Sequence, residues 1–143
     1  MATFENSVAI QRPVGDVFAF LADFENVPRW NYAIEETTKT SPGPVGGTTY
    51  RQSRSIPWRG QEGFEVTVFD PTRRLVIEGR IGPFQARLGY VLEPMGDGTR
   101  LTNVMELEPS SGISRLFLPL AASRVKTAVA SNLDKLKLIL EGG

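Results

Sequence analysis

The chain has 143 residues and sets 16 lysines and arginines against 16 aspartates and glutamates. The formal net charge of zero argues against a protein that holds nucleic acid electrostatically. Cysteine and histidine are both absent, which removes disulfides, thiolate chemistry, the commonest general base and the usual transition-metal ligand.

The length suits a single domain spanning residues 1–143 with one proper core. The longest apolar run, Leu116 to Ala122, falls far short of the ~20 residues that cross a bilayer. The first residues lack the basic and apolar regions of a signal peptide. The expectation is a cytoplasmic protein with no nucleic acid partner, no stable membrane insertion, no metal and no cofactor.

Thr3 to Gln11 alternates, with Phe4, Val8 and Ile10 on one face and Glu5 and Ser7 on the other, and reads as a first strand. Pro13 suits a first helical turn, and Val14, Val17, Phe18 and Leu21 form a helical stripe to about Ala22. Asp23 is a candidate N-cap for a short helical piece, Phe24 to Val27, closed by Pro28-Arg29-Trp30. Ala33 to Thr40 reads as an edge strand, and Ser41 to Gly47 as a loop.

From Thr48 onward, turn residues set the register of a five-strand antiparallel meander ending at Glu108. Asp97-Gly98 is the strongest hairpin signal; with that loop, Tyr90 faces Met105, Leu92 faces Asn103 and Leu88 faces Leu107. A Gly82-Pro83 loop sets Gly79 against Ala86, Ile77 against Leu88 and Leu75 against Tyr90. A loop over Asp70 to Arg73 sets Val68 against Leu75, Val66 against Ile77 and Phe64 against Gly79. A loop over Pro57 to Arg59 sets Arg54 against Glu62 and Gln52 against Phe64. All four registers put the apolar set on one face, as a real sheet requires.

The end of the chain, Ile113 to Leu140, reads as one long amphipathic helix, with Leu118, Ala122, Val125, Val129, Leu133, Leu136 and Leu140 at steps of three or four. Pro119 is disruptive inside a helix, so Gly112 to Leu118 is expected to form a separate or kinked segment.

Several stretches carry a family resemblance: Ser7-Val8-Ala9-Ile10 followed by Pro13 to Phe18, then Asp23 and Pro28-Arg29-Trp30, then Gly98 to Thr102, then Leu133 to Leu136 with Glu141. The chain resembles the START-like (SRPBCC) superfamily in its polyketide cyclase/dehydrase and lipid-transport branch. That resemblance implies an α+β helix-grip fold: a seven-stranded antiparallel sheet wrapped around a long C-terminal helix, with two short helices after the first strand. It also implies an apolar cavity between sheet and helix, occupied in relatives by lipids, sterols, polyketides, quinones or hormones.

The candidate ligand residues follow from the registers. Phe64, Gly79 and Ala86 form a row across three strands, two of them small, facing small helix residues such as Ala121 and Ala128; this pattern means either a hollow or close packing. Asn103 is the uncharged polar residue in the inward row of the last strand, between Leu101 and Met105; it either finds an internal partner or orients a ligand carbonyl or hydroxyl. Tyr50 and Tyr90 are inward phenols, core or lining. Arg54 with Glu62 is either an exposed ion pair or a fork for a ligand carboxylate or phenolate. Trp30 is a fold-holding residue or a lid, and Phe84 and Phe117 would form an apolar mouth.

No residue is singled out as catalytic. Three function classes remain: a carrier or sensor of a hydrophobic small molecule, favoured; a polyketide cyclase/dehydrase-type enzyme working without histidine; and a protein-interaction module, which would show a large exposed apolar patch on the convex sheet face. The chain is expected to be a monomer or homodimer.

Overall fold

The computed structural model describes residues 1–42, 46–56 and 59–142. The expected Ser41–Gly47 loop and the loop over Pro57 to Arg59 lie partly outside them.

Strand β1 (Ala2–Ile10) leads into α1 (Val14–Ala22), a single 3-10 turn (Phe24–Asn26) and α2 (Val27–Trp30). The edge strand β2 (Ile34–Lys39) follows, then β3 (Thr49–Arg54), β4 (Gly60–Asp70), β5 (Arg74–Ile81), β6 (Phe84–Met95), β7 (Gly98–Pro109) and α3 (Gly112–Gly142). The strands form one seven-stranded sheet in the order β1-β7-β6-β5-β4-β3-β2, every neighbouring pair antiparallel. This is the helix-grip fold.

Helix α1 forms because Val17, Phe18 and Leu21 share a face and are buried. The Pro13 carbonyl accepts from the amides of Asp16 and Val17 at 3.0 and 3.2 Å. Asp23 precedes the 3-10 turn but makes no side-chain cap, and Pro28 lies inside the first turn of α2 instead of ending the helix.

The β5–β6 register is the expected one, with Gly79 facing Ala86, Ile77 facing Leu88 and Leu75 facing Tyr90. The β6–β7 pairing is shifted by two residues: Tyr90 faces Asn103, Leu88 faces Met105 and Leu92 faces Leu101. Gly96 at φ +59 begins the two-residue loop, Gly96-Asp97, between the paired Met95 and Gly98. Glycine at the first central position suits a primed hairpin turn. Moving the loop by one residue moves the pairing by two, so no side chain changes face.

On β3–β4 the same kind of shift occurs: Gln52 faces Glu62, Tyr50 faces Phe64 and Arg54 faces Gly60. On β4–β5, Phe64 faces Gly79 and Val66 faces Ile77, and then a bulge intervenes, so Val68 faces Val76 and Phe69 faces Leu75. The extra residue turns Phe69 inward in place of Val68, and its ring meets Phe18 edge-on at 5.3 Å.

Helix α3 runs without a break from Gly112 through Pro119, which corrects the expected separate segment. Proline costs a helix the bond from its own amide; here the carbonyl left over belongs to Arg115, which is exposed and open to water. The helix lies along β1 and packs two apolar clusters beneath it. The larger gathers Ile10, Leu21, Trp30, Tyr50, Phe64, Tyr90 and Leu133. The smaller gathers Phe84, Met105 and Leu107 under Leu118, Ala121, Ala122 and Val125. Leu88 and Val129 belong to both.

Candidate functional site

Strand β7 alternates strictly: Leu101, Asn103, Met105 and Leu107 are buried, while Thr102, Val104 and Glu106 are half-buried on the outer face. Asn103 therefore stands in the inward row between a residue of the larger cluster and one of the smaller. It is 0 % exposed, and neither its amide nitrogen nor its amide oxygen has a hydrogen-bond partner. A buried amide left unpaired costs about 1–3 kcal/mol.

Tyr90 stands directly opposite on β6. Burial pushes its phenol far above the usual 10, and a polar approach of the facing Asn103 amide lowers it in part; that approach does not reach hydrogen-bond geometry, so the amide stays unpaired. The phenol is thus a permanent donor at any ordinary pH. Trp30, buried on α2, also has no partner for its indole N–H, and Asn132 on α3 has none for its amide oxygen.

Tyr50 stacks on Phe64 with ring centroids 5.2 Å apart, and Phe24 touches both rings at 5.0 and 5.4 Å. Burial raises the Tyr50 phenol as well. These aromatics fill the β3–β4 end of the interior, so Tyr50 and Phe64 form one face of a packed aromatic group.

Gly79 permits a close approach. A Cβ there would collide with the Gly63 carbonyl and lie 2.9 Å from the Phe64 Cβ. A larger side chain at 79 would strain the strand whatever space lies above it, so substitution at this glycine cannot report on a hollow.

Arg54 and Glu62 pair at 2.8 Å with side chains only 11 % and 7 % exposed. The pair is half-buried, not the exposed contact a rim position suggests. The Glu62 Oε1 also accepts from the Gln52 amide at 2.9 Å, and an Arg54 Nη1 donates to the Ile56 carbonyl at 3.2 Å. The expected register set Arg54 directly against Glu62; in the observed one Arg54 faces Gly60 and reaches Glu62 diagonally, so the pair forms across a shifted register.

Phe84 and Met105 are buried in the smaller cluster, with half-buried Ala86 and Ala121 against them. Phe117 is 57 % exposed on α3. The structure thus brings Trp30, Tyr50, Phe64 and Tyr90 into one cluster and Phe84, Ala86, Met105 and Ala121 into the other, with Asn103 between them. Arg54 and Glu62 flank the first, and Phe117 stands apart on the surface. Sequence reasoning passed over Asn132 and Phe69; Asn132 falls among apolar positions on the helix and was legible there, whereas Phe69 turns inward only through the bulge.

An open depression of ≈ 620 Å³ lies along β3 and β4, lined by Thr49, Tyr50, Arg51, Glu62, Phe64 and Glu65 among others, and a second of ≈ 340 Å³ lies beside α1, lined by Asp23, Glu25, Lys39 and Tyr50 among others. Both are open to solvent and neither lies under α3. Among the described residues no cluster of acidic side chains could hold a metal, and no helix is long and apolar enough to cross a membrane.

Residues 1–141 match the family described as "Polyketide cyclase / dehydrase and lipid transport". No curated protein matches the chain. Among solved structures it is similar to TTHA0849 from Thermus thermophilus, at 20 % identity and a TM-score of 0.76, covering 95 % of this chain and 94 % of that one. It is similar to Zhui aromatase/cyclase from Streptomyces sp. R1128, at 13 % identity and a TM-score of 0.78, covering 96 % and 94 %. It also resembles the di-domain ARO/CYC BexL of the BE-7585A biosynthetic pathway at 17 % identity and a TM-score of 0.79, where 96 % of this chain covers 45 % of that one. Similarities at these identities establish the fold. The chain belongs to the polyketide cyclase/dehydrase and lipid transport family.

Proposed function

We propose that the chain binds a hydrophobic small molecule of lipid, polyketide or aromatic type between the concave face of the sheet and α3. The observation that carries this reading is Asn103, fully buried with both polar amide atoms unpaired. A ligand with an apolar body and a carbonyl or hydroxyl oxygen would satisfy that amide, with Tyr90 as a neighbouring donor. Trp30, Tyr50, Phe64 and the Gly79 backbone would line the β3–β5 side, and Ala86, Met105 and Ala121 the helix side. Phe84 and Phe117 would lie toward the open end, with Arg54 and Glu62 at the margin. No cofactor is needed for such binding. A cytoplasmic carrier or sensor, monomeric or dimeric, fits it.

A cyclase-type enzyme is the second reading, favoured by the similarity to an aromatase/cyclase. Its difficulty is the proton acceptor. Glu62 has both oxygens engaged, and burial keeps the Tyr90 phenol protonated.

The test is native mass spectrometry of gently purified protein, joined to a titration with the fluorescent apolar probe N-phenyl-1-naphthylamine. The parent should retain an oxygen-bearing small molecule. Asn103→Leu should fold at least as stably, gaining about 1–3 kcal/mol by removing an unpaired amide. It should bind the probe as the parent does and lose the oxygen-bearing molecule. Absence of both a retained molecule and probe binding, or a strongly destabilised Asn103→Leu, would sink the reading.

A further inference from the structure

The inner face of the sheet has a second polar level besides that of Asn103. Across β2, β3 and β4, Thr37 faces Gln52 and Gln52 faces Glu62. Gln52 and Glu62 stand two residues from Tyr50 and Phe64 and so share their inward face; Thr37, opposite Gln52, shares it too. Thr37 is 5 % exposed, where the 3-10 turn and α2 pack on β2. Its hydroxyl has no hydrogen-bond partner, a costly state for a buried polar group.

This level has no charge to offer a ligand. Arg54 donates from Nε to Glu62 at 2.8 Å and from Nη1 to the Ile56 carbonyl at 3.2 Å, and the other Glu62 oxygen accepts from Gln52. The guanidinium is held against a carboxylate of this chain, so a ligand carboxylate or phenolate reaches it only by displacing Glu62. What remains is hydrogen bonding without charge. The Thr37 hydroxyl donates and accepts, and the Gln52 amide oxygen beside it accepts, a set complementary to another hydroxyl. Two residues beyond the Phe64–Gly79 pair, Glu62 comes level with Ile81, which faces Phe84. Tyr90, opposite Asn103, stands six residues farther along β6, about 20 Å at ~3.3 Å per residue. The inward residues between the two levels are apolar: Phe64, Gly79 and Ala86 in one row, Val66, Ile77 and Leu88 in the next.

We propose that the molecule bound in this interior is elongated and uncharged, with an apolar body and a hydroxyl at each end, one held at Asn103 and the other at Thr37 and Gln52. This rests on the interior binding proposed above and names the class of molecule bound. Two buried polar groups without partners, separated by apolar rows, are both satisfied by one molecule with two polar ends. A molecule with one polar end leaves one level unsatisfied. A fatty acid fits less well than an alcohol, because the Arg54 guanidinium is already paired.

The experiment is displacement of N-phenyl-1-naphthylamine from the full chain by 1-hexadecanol, 1,16-hexadecanediol and hexadecanoic acid, with 1-octanol and 1,8-octanediol as short counterparts. The long diol should displace the probe at roughly tenfold lower concentration than the long alcohol, the worth of one hydrogen bond. The acid should bind less well than the alcohol, and the short diol, unable to span the two levels, should gain nothing over 1-octanol. Thr37→Val keeps the shape and removes the hydroxyl; it should bind 1-hexadecanol like the parent and lose the advantage of the long diol, while Thr37→Ser should keep that advantage. If Thr37→Val fails to fold, Asn103→Leu takes its place, since removing either level should abolish the advantage. A long diol that binds no better than the alcohol overturns the proposal and leaves the interior reading standing. So does an advantage that survives the substitution, an equal advantage for the short diol, or an acid that binds more tightly than the alcohol. A parent that binds neither the probe nor any of these compounds overturns both.

Discussion

Arg54 and Glu62 show at the scale of single residues how much context decides. On a strand facing water the pair would contribute ~0–1 kcal/mol. Here the side chains are 11 % and 7 % exposed and both Glu62 oxygens are engaged. Removing one partner strands a half-buried charge, at about 1–3 kcal/mol, whereas replacing both by apolar groups is often near neutral. Glu62→Leu should therefore lose about that much in urea unfolding, and Arg54→Met/Glu62→Leu should recover most of it. A double variant as unstable as the sum of the single ones would show the two charges acting independently. Asn103 is the opposite case: a buried amide whose polar neighbour, Tyr90, lies outside hydrogen-bond geometry.

At the scale of elements, the β6–β7 hairpin is the instructive one. Asp97-Gly98 carries the stronger local turn signal, but Gly98 is spent elsewhere. A Cβ at that position would come 2.7 Å from the Ile10 carbonyl at the end of β1. The turn falls instead on Gly96-Asp97, whose glycine takes the positive φ of +59. Gly98→Ala should accordingly destabilise the chain by about 1–3 kcal/mol through overcrowding, measured by chemical unfolding. An unchanged midpoint would mean that β1 shifts freely to make room. The bulge in β4 works similarly: one extra residue exchanges Val68 for Phe69 on the inner face and gives Phe18 an aromatic partner.

Across the whole molecule, α3 is held differently at its two ends. Its last turns are tied to the end of β1: Lys137 donates to the Ala9 carbonyl, and the Gln11 amide and Lys137 ammonium both reach the Glu141 carboxylate at 2.7 Å. Its first turns carry the exposed apolar face. The bond from Lys137, then that from Gln11, holds the Glu141 carboxyl below its ordinary value of 4.5. A carboxyl lowered in the folded state adds stability that is fully present above the ordinary value and fades as pH falls through the lowered one. Glu141→Gln should therefore flatten the acid limb of thermal stability below about pH 4.5 and leave the slope near neutrality unchanged. Identical acid limbs for parent and variant would mean that the tie contributes nothing. On the outer sheet face Arg87 reaches Glu78 and Glu106 at 3.9 and 3.3 Å.

The order of elements and, except past the β4 bulge at Val68 and Phe69, the face on which the strand residues lie were legible in the sequence, because alternation and helical spacing are local and survive a register error of two. Asn103, Tyr90, Tyr50 and Phe64 were assigned inward on that ground, and all four are buried. Which residue faces which was decided only by tertiary contact. Steps of two are degenerate in an alternating pattern, and the crowding of Gly98 by Ile10 involves strands at opposite ends of the chain. The same holds for the unpaired amide of Asn103 and for the exposure of Ile113, Leu116, Phe117 and Leu120. Spacing marks a face of a strand or helix, but only the packed molecule determines whether anything lies against it.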